Sequence, residues 1–171
     1  MSSKKLLALM ISILLLLRKD KPREVFNPSR GVDAWGSGEF GASRDGGTRP
    51  HLGVDYVVSE GDTIYAPFDM EIYSTSRPYS DSTTFTGIKY NTQVNGVDFN
   101  GRMWYFIPYP NIIGSVVTKG EPIGVAQSLQ PRYPGITDHI HLQLATATNV
   151  SSSFSTILYK GLYYINPDDV V

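Results

Sequence analysis

"DHIHLQLA", residues 138–145, alternates polar and apolar side chains. Alternation with a period of two is the signature of a half-buried β-strand. On such a strand Ile140, Leu142 and Leu144 fill one face, while His139, His141 and Gln143 line the other. Two imidazoles at i and i+2 then stand side by side, roughly 6–7 Å apart. The chain has only three His. Two of them on one strand face make that face the first place to look for chemistry.

Working outward, other short runs fit strands: Val54–Val58, Thr63–Ala66, Met70–Ser74, Thr86–Val94, Arg102–Pro108 and Pro122–Ala126. Glu60-Gly61-Asp62, Asn95-Gly96, Asn100-Gly101 and Lys119-Gly120-Glu121 punctuate them as turns. "SEGDTIYAPFDMEI" and "TKGEPIGVAQSL" echo each other, each with a Gly, an acidic residue and a small strand ending in Ala. Only "SSSFSTILYKGL" reads as a short helix. The glycine-rich "WGSGEFGASRDGGTRP", residues 35–50, reads as a long loop, and long loops in compact domains tend to be functional. The expectation is one all-β domain of antiparallel sheets over residues 31–171, preceded by a polar, proline-containing linker at 18–30.

Ahead of the linker, "MSSKK" introduces twelve uncharged, mostly apolar residues, Leu6–Leu17, followed at once by charge. A basic start and an apolar stretch fit a signal peptide or a membrane anchor over residues 1–17, formed as an apolar helix. Twelve helical residues span about 18 Å against a hydrocarbon core of roughly 30 Å, so flanking Lys and Arg must snorkel if the segment is to anchor. The expected location is membrane-anchored or secreted, facing the periplasm or cell exterior, or on a virion. Lys+Arg number 15 against 16 Asp+Glu, so no basic excess argues for nucleic acid. Cysteine is absent, which excludes disulfides and leaves His and carboxylate as the donors for any metal.

The third imidazole, His51, stands four residues before Asp55 in "PHLGVD". On a straight strand i and i+4 lie about 13 Å apart, too far for one ion. Gly53 allows the bend that brings them together. With His141 they form a His₂Asp set, three protein ligands with a fourth position left for water, as in catalytic zinc sites. A lone His is more often a surface or satisfied core residue, and each motif alone matches by chance. A His₃ set without Asp55, and metal binding without catalysis, stay open.

Taken in order, "HLGVD", "SEGDTIYAPFDMEI", "KGEPIG" and "HIHLQL" resemble the lysostaphin-type zinc metallopeptidase family of peptidoglycan hydrolases, over about Gly31 to Pro167. "GASRDGGTRPHLGVDY", "MWYFIP" and "YPGITDHIHLQL" further resemble its leukocyte cell-derived chemotaxin 2-like branch. Vertebrate members of that branch carry disulfides, so this Cys-free chain looks more like the bacterial or phage-borne kind. The resemblance implies a compact duplicated-hybrid-motif-like fold and one Zn2+ held by His51, Asp55 and His141. It implies His139 as catalytic base or transition-state stabiliser, with a peptidoglycan peptide as substrate or ligand. Active members usually carry a further His in the strand before "KGEPIG", where this chain has Tyr105. A phenol can donate to an oxyanion but is a poor base at neutral pH. The alternative is therefore a zinc-containing binding module that cuts slowly or not at all, with Tyr105 merely packing against Trp104 and Phe106.

Lesser candidates are Arg44 and Asp45 for lining a groove, Tyr56, Tyr65 and Tyr133 for stacking on a ligand, and Asp138 for orienting an imidazole. Strand alternation points Asp138 away from the His face.

Overall fold

The computed structural model describes residues 28–81 and 83–171. The expected apolar helix of residues 1–17 and most of the linker lie outside the described residues. Among the described residues no helix is long and apolar enough to cross a membrane.

Two layers of antiparallel β-structure make up the domain. The larger sheet has eight strands, seven of them in the order Ser115–Val117, Met70–Ser76, Gly87–Val94, Val97–Trp104, His139–Thr146, Leu162–Ile165, Thr156–Tyr159. Val54–Val57 is the eighth and pairs with the first half of His139–Thr146, whose second half pairs with Leu162–Ile165. A smaller sheet orders Phe106–Pro108, Pro122–Ala126 and Thr63–Tyr65. Its last two strands come from the two echoing segments, laid directly beside one another.

Between the layers lies the core. Ile140, Leu142 and Leu144 are 0 % exposed and pack with Ile72, Ile88 and Met103 of the large sheet and Ile64, Phe106 and Ile123 of the small one. Each such side chain contributes about 1.5–3 kcal/mol by leaving water. The strand alternation of residues 139–145 thus assigns its apolar face to the inter-sheet core. At Asn95-Gly96 both φ angles are positive, 50° and 78°, the two-residue turn that matches strand twist and joins Gly87–Val94 to Val97–Trp104.

Two expectations are corrected. "SSSFSTILYKGL" forms no helix; Thr156–Tyr159 and Leu162–Ile165 make a hairpin about Lys160-Gly161, with φ of 49° and 83°. Its β-branched and aromatic residues, ended by a residue pair that accepts positive φ, favour strand over helix. The run Arg102–Pro108 is not one strand either. It breaks at Tyr105, whose φ of 76° turns the chain out of the large sheet after Trp104 and into the small one at Phe106.

The glycine-rich segment folds over the imidazole face of His139–Thr146 as two minimal hairpins, Val32–Asp33 with Gly36–Ser37 and Ser43–Arg44 with Arg49–Pro50. Backbone bonds fasten it there: Asp55 N donates to Gly38 O (2.9 Å), His51 N to Ala42 O (2.7 Å) and Arg30 N to Asp55 O (2.6 Å). Pro28–Arg30, at the end of the expected linker, belong to this cover, since Ser29 bridges Tyr56. Both faces of the His139–Thr146 strand are therefore sheltered, one by core and one by loop.

Candidate metal centre

Three adjacent strands set a row of side chains across the sheet. His141 is the register partner of Asp55 on one side and of Trp104 on the other. Trp104 stacks on the His141 imidazole, centroids 5.0 Å apart and planes 20° from parallel, while its Nε1 donates to Ser76 Oγ (2.8 Å). The ring of His141 is thereby held in one orientation between an aromatic plane and a carboxylate.

His51 enters from the loop side through the bend at Gly53. A Cβ at Gly53 would lie 2.1 Å from Leu142 O and 2.8 Å from the His141 ring, so close backbone approach demands glycine there. His51 Nδ1 bonds the Glu39 carbonyl (2.8 Å), which requires the proton on Nδ1 and leaves Nε2 with a bare lone pair. That Nε2 lies 3.0 Å from His141 Nδ1 and 3.2 Å from Asp55 Oδ1; His141 Nδ1 and Asp55 Oδ1 are 3.0 Å apart.

The triangle fits an ion. Three donors each about 2.0–2.1 Å from a tetrahedral zinc lie about 3.3 Å from one another. The donor set is also the right chemistry, two imidazole nitrogens and one carboxylate oxygen, all buried. Without a cation, a single proton on His141 Nδ1 must serve two acceptors, His51 Nε2 and Asp55 Oδ1, and His141 Nε2 has no hydrogen-bond partner. Burial depresses the pKa values of His141 and His139, against the pull of Asp55. For Asp55 burial works upward, but the hydrogen bond from His141 and the neighbouring His139 hold its carboxyl well below the usual carboxylate range. The shifts of His141 and Asp55 favour the deprotonated forms that bind metal, and that of His139 leaves its imidazole neutral.

The other Asp55 oxygen, Oδ2, is held separately. Arg30 Nη2 donates to it at 3.2 Å, Arg44 Nη2 lies at 3.5 Å and His139 Nε2 at 3.6 Å. Arg30, itself buried, also pairs with Asp33 at 2.6 Å. His139 Nδ1 bonds Thr137 O (2.7 Å), so its Nε2 carries the lone pair toward the site.

Tyr105 stands edge-on to His139, centroids 5.2 Å apart. It does not pack on Trp104 and Phe106, as one sequence expectation had it. Its positive φ swings the ring against Phe85 instead, at 5.7 Å. Its hydroxyl bonds that of Tyr79 (2.8 Å), which in turn bonds that of Tyr133 (2.7 Å). Burial pushes the Tyr105 phenol far above its ordinary range.

These groups line a cleft of about 540 Å³, together with Trp35, Arg49, Arg102 and Gln143. Arg44, Asp45 and Tyr133 lie on its wall; Tyr65 does not. Tyr56 is a core residue whose hydroxyl donates to Asp168 (2.7 Å). Asp138 turns away from the imidazoles and receives Leu129 N (2.8 Å), fixing the 128–138 loop. Arg30, Tyr79 and Trp104 are site residues the sequence did not single out. For Trp104 the signal was present, as the neighbour of Tyr105 in a strand; Arg30 and Tyr79 sit in segments with no periodicity to read.

Comparison with known proteins finds no matching family model. The chain is 36 % identical over 117 residues to leukocyte cell-derived chemotaxin-2 of Bos taurus, covering 68 % of this chain and 73 % of that protein. The Mus musculus protein of the same name is 34 % identical over the same shares. Myeloid protein 1 of Gallus gallus is 31 % identical over 128 residues, 74 % of this chain but only 38 % of that one. Among solved structures, the solution structure of lysostaphin aligns with a TM-score of 0.49 at 19 % identity, over 77 % of this chain and 51 % of that one. A zinc-containing peptidase from Vibrio cholerae aligns with a TM-score of 0.44 at 23 % identity, over 70 % and 36 %.

Proposed function

The chain belongs to the leukocyte cell-derived chemotaxin-2 family, and from that premise we propose that it is a zinc-dependent endopeptidase of the lysostaphin type that hydrolyses peptidoglycan peptides outside the cell membrane. The observation that carries this reading is the buried triangle of His51 Nε2, Asp55 Oδ1 and His141 Nδ1 at the base of an open cleft. His51, Asp55 and His141 would hold the ion. Bound zinc supplies Lewis acidity, lowering the pKa of water and polarising a peptide carbonyl. Residues 1–17 would deliver the domain to or across the membrane.

The remaining chemistry falls to the chain's own groups. His139 Nε2, bare because Nδ1 is spent on Thr137, accepts the proton of the attacking water and returns it to the departing amine. The Tyr105 hydroxyl, kept protonated by burial, donates to the oxyanion of the tetrahedral species. Trp104 and the glycine-rich cover exclude water from the imidazoles, which strengthens each of these interactions. The test is zinc content together with release of new amino termini from purified sacculi. Wild type should bind about one zinc and release amino termini, and His141→Ala should do neither.

A second reading has its own observation. Tyr105 stands beside His139 with its hydroxyl tied into a tyrosine chain, where the resemblance expects another imidazole. A phenol with a raised pKa does no base chemistry, which favours a module that binds a peptide or glycan without cutting. Tyr105→His distinguishes the two. Gain of sacculus hydrolysis over an inert wild type supports the binding reading.

A further inference from the structure

We infer that the cleft selects peptides bearing a free carboxylate, with Arg102 and Arg44 as the cationic contacts; this rests on the reading of the cleft as a peptide site. Six charged residues appear in its lining besides the imidazoles. Four are arginines, Arg30, Arg44, Arg49 and Arg102, against two aspartates, Asp45 and Asp55. The whole chain carries −1, so this positive excess is a local feature of the cleft.

Two of the four arginines are committed. Arg30 is buried against Asp33 and Asp55, and Arg49 pairs with Asp45 at 2.5 Å. Arg44 donates through Nη1 to Ser43 O (3.2 Å) and meets a carboxylate only at the edge of Asp55, at 3.5 Å, an attraction that any cation taken up by Asp55 weakens further. Arg102 has no carboxylate partner among the described residues. Its guanidinium is held 5.8 Å over the Trp104 ring, and Trp104 is itself stacked on His141. A planar cation is thus tethered one aromatic plane away from the candidate ion site, with its donors unspent.

A guanidinium binds a carboxylate through two parallel hydrogen bonds, a match that a backbone amide or a glycine cannot offer. The rest of the lining suits a peptide more than a polyanion. Trp35, Trp104, Tyr105 and Tyr133 supply apolar faces, and the near-neutral chain lacks the field that phosphate polymers require. The ligand assigned is therefore an acidic peptide rather than a neutral, glycine-only one.

The experiment uses the zinc-loaded full chain and two short peptides identical except for one Glu replaced by Gln. Titration calorimetry at low salt should show the glutamyl peptide binding about tenfold tighter, the gain expected of one charge-assisted contact. The difference should shrink in high salt. It should largely vanish in Arg102→Gln, survive in part in Arg102→Lys, and leave zinc content unchanged in both. Equal affinities in wild type, no binding of either peptide, or an undiminished preference in Arg102→Gln would each overturn the inference. A wild type that prefers the glutamyl peptide yet cleaves nothing supports it while removing the peptidase reading. One that cleaves both peptides equally does the reverse.

Discussion

Asp55 and His141 face each other as register partners on adjacent antiparallel strands, Oδ1 and Nδ1 3.0 Å apart. Because the sheet fixes both, two of the three proposed ligands are preorganised, and metal binding spends little on ordering them. Zinc should therefore raise thermal stability strongly, by about 4 kcal/mol at a thousandfold excess over Kd. Thermal melts should show wild type gaining with zinc and losing with a chelator, and His141→Ala indifferent to both. An equal zinc response in the variant would remove His141 from the ligand set.

Gly53 is set by space. A methyl group there meets the Leu142 carbonyl oxygen at 2.1 Å and the His141 ring at 2.8 Å, neither of which can retreat without moving the sheet. Gly53→Ala should cost about 1–3 kcal/mol by overpacking and weaken zinc binding together with it. Urea unfolding with a parallel zinc titration checks this; a variant as stable as wild type would mean that the bend is softer than the contacts imply.

The metal-free protein should lose stability as pH falls. Asp55, His139 and His141 all have folded-state pKa values below their ordinary ones. For each, the unfolded chain takes up its proton first, so the stabilisation present at neutral pH is lost as pH drops. The imidazole contributions begin to fade below about pH 6.5 and that of Asp55 below about pH 4, the unfolded-state values. Urea midpoints at pH 7.5, 5.5 and 4 should fall in that order, and less so in His139→Gln. A midpoint independent of pH across this range would contradict the buried, deprotonated state of the cluster.

Tyr105 supplies a separable test of the oxyanion role. Tyr105→Phe keeps the ring between Phe85 and His139 and removes only the hydroxyl and its bond to Tyr79. Zinc content and melting temperature should stay near wild type while sacculus hydrolysis drops about 10²-fold, the usual effect of losing one oxyanion donor. An unchanged rate would assign the phenol to packing alone.

The sequence displayed the regular parts of this design. Alternation over residues 139–145 marked both the core face and the imidazole pair, and Gly53 marked the bend that brings His51 to Asp55. It concealed what depends on tertiary contact. Tyr105 lies in an unbroken apolar run, and nothing local announces a positive φ where the chain changes sheets. The hairpin at Thr156–Ile165 was hidden by serines that read equally as helix start or turn. The glycine-rich cover had no period at all, since its order comes from backbone bonds to Asp55 and His51 and from scattered side-chain contacts such as Trp35 Nε1 to Pro134 O.

Arg30 shows the same limit and gives the last test. It falls in a polar stretch that composition marks as linker, yet its side chain is 3 % exposed and spans Asp33 and Asp55. Its backbone N donates to Asp55 O at 2.6 Å, and Val57 N reaches Pro28 O at 3.3 Å. Removing one partner of a buried charge pair costs about 3–5 kcal/mol because the other is left uncompensated. Arg30→Met should therefore destabilise the domain by that order and free Asp55 Oδ2, loosening the orientation that leaves Oδ1 for the ion. A chain beginning at residue 28 should fold and take up zinc, while one beginning at residue 31 should do both poorly. Equal melting temperatures and zinc affinities for the two truncations would show that the cover holds Asp55 without Arg30.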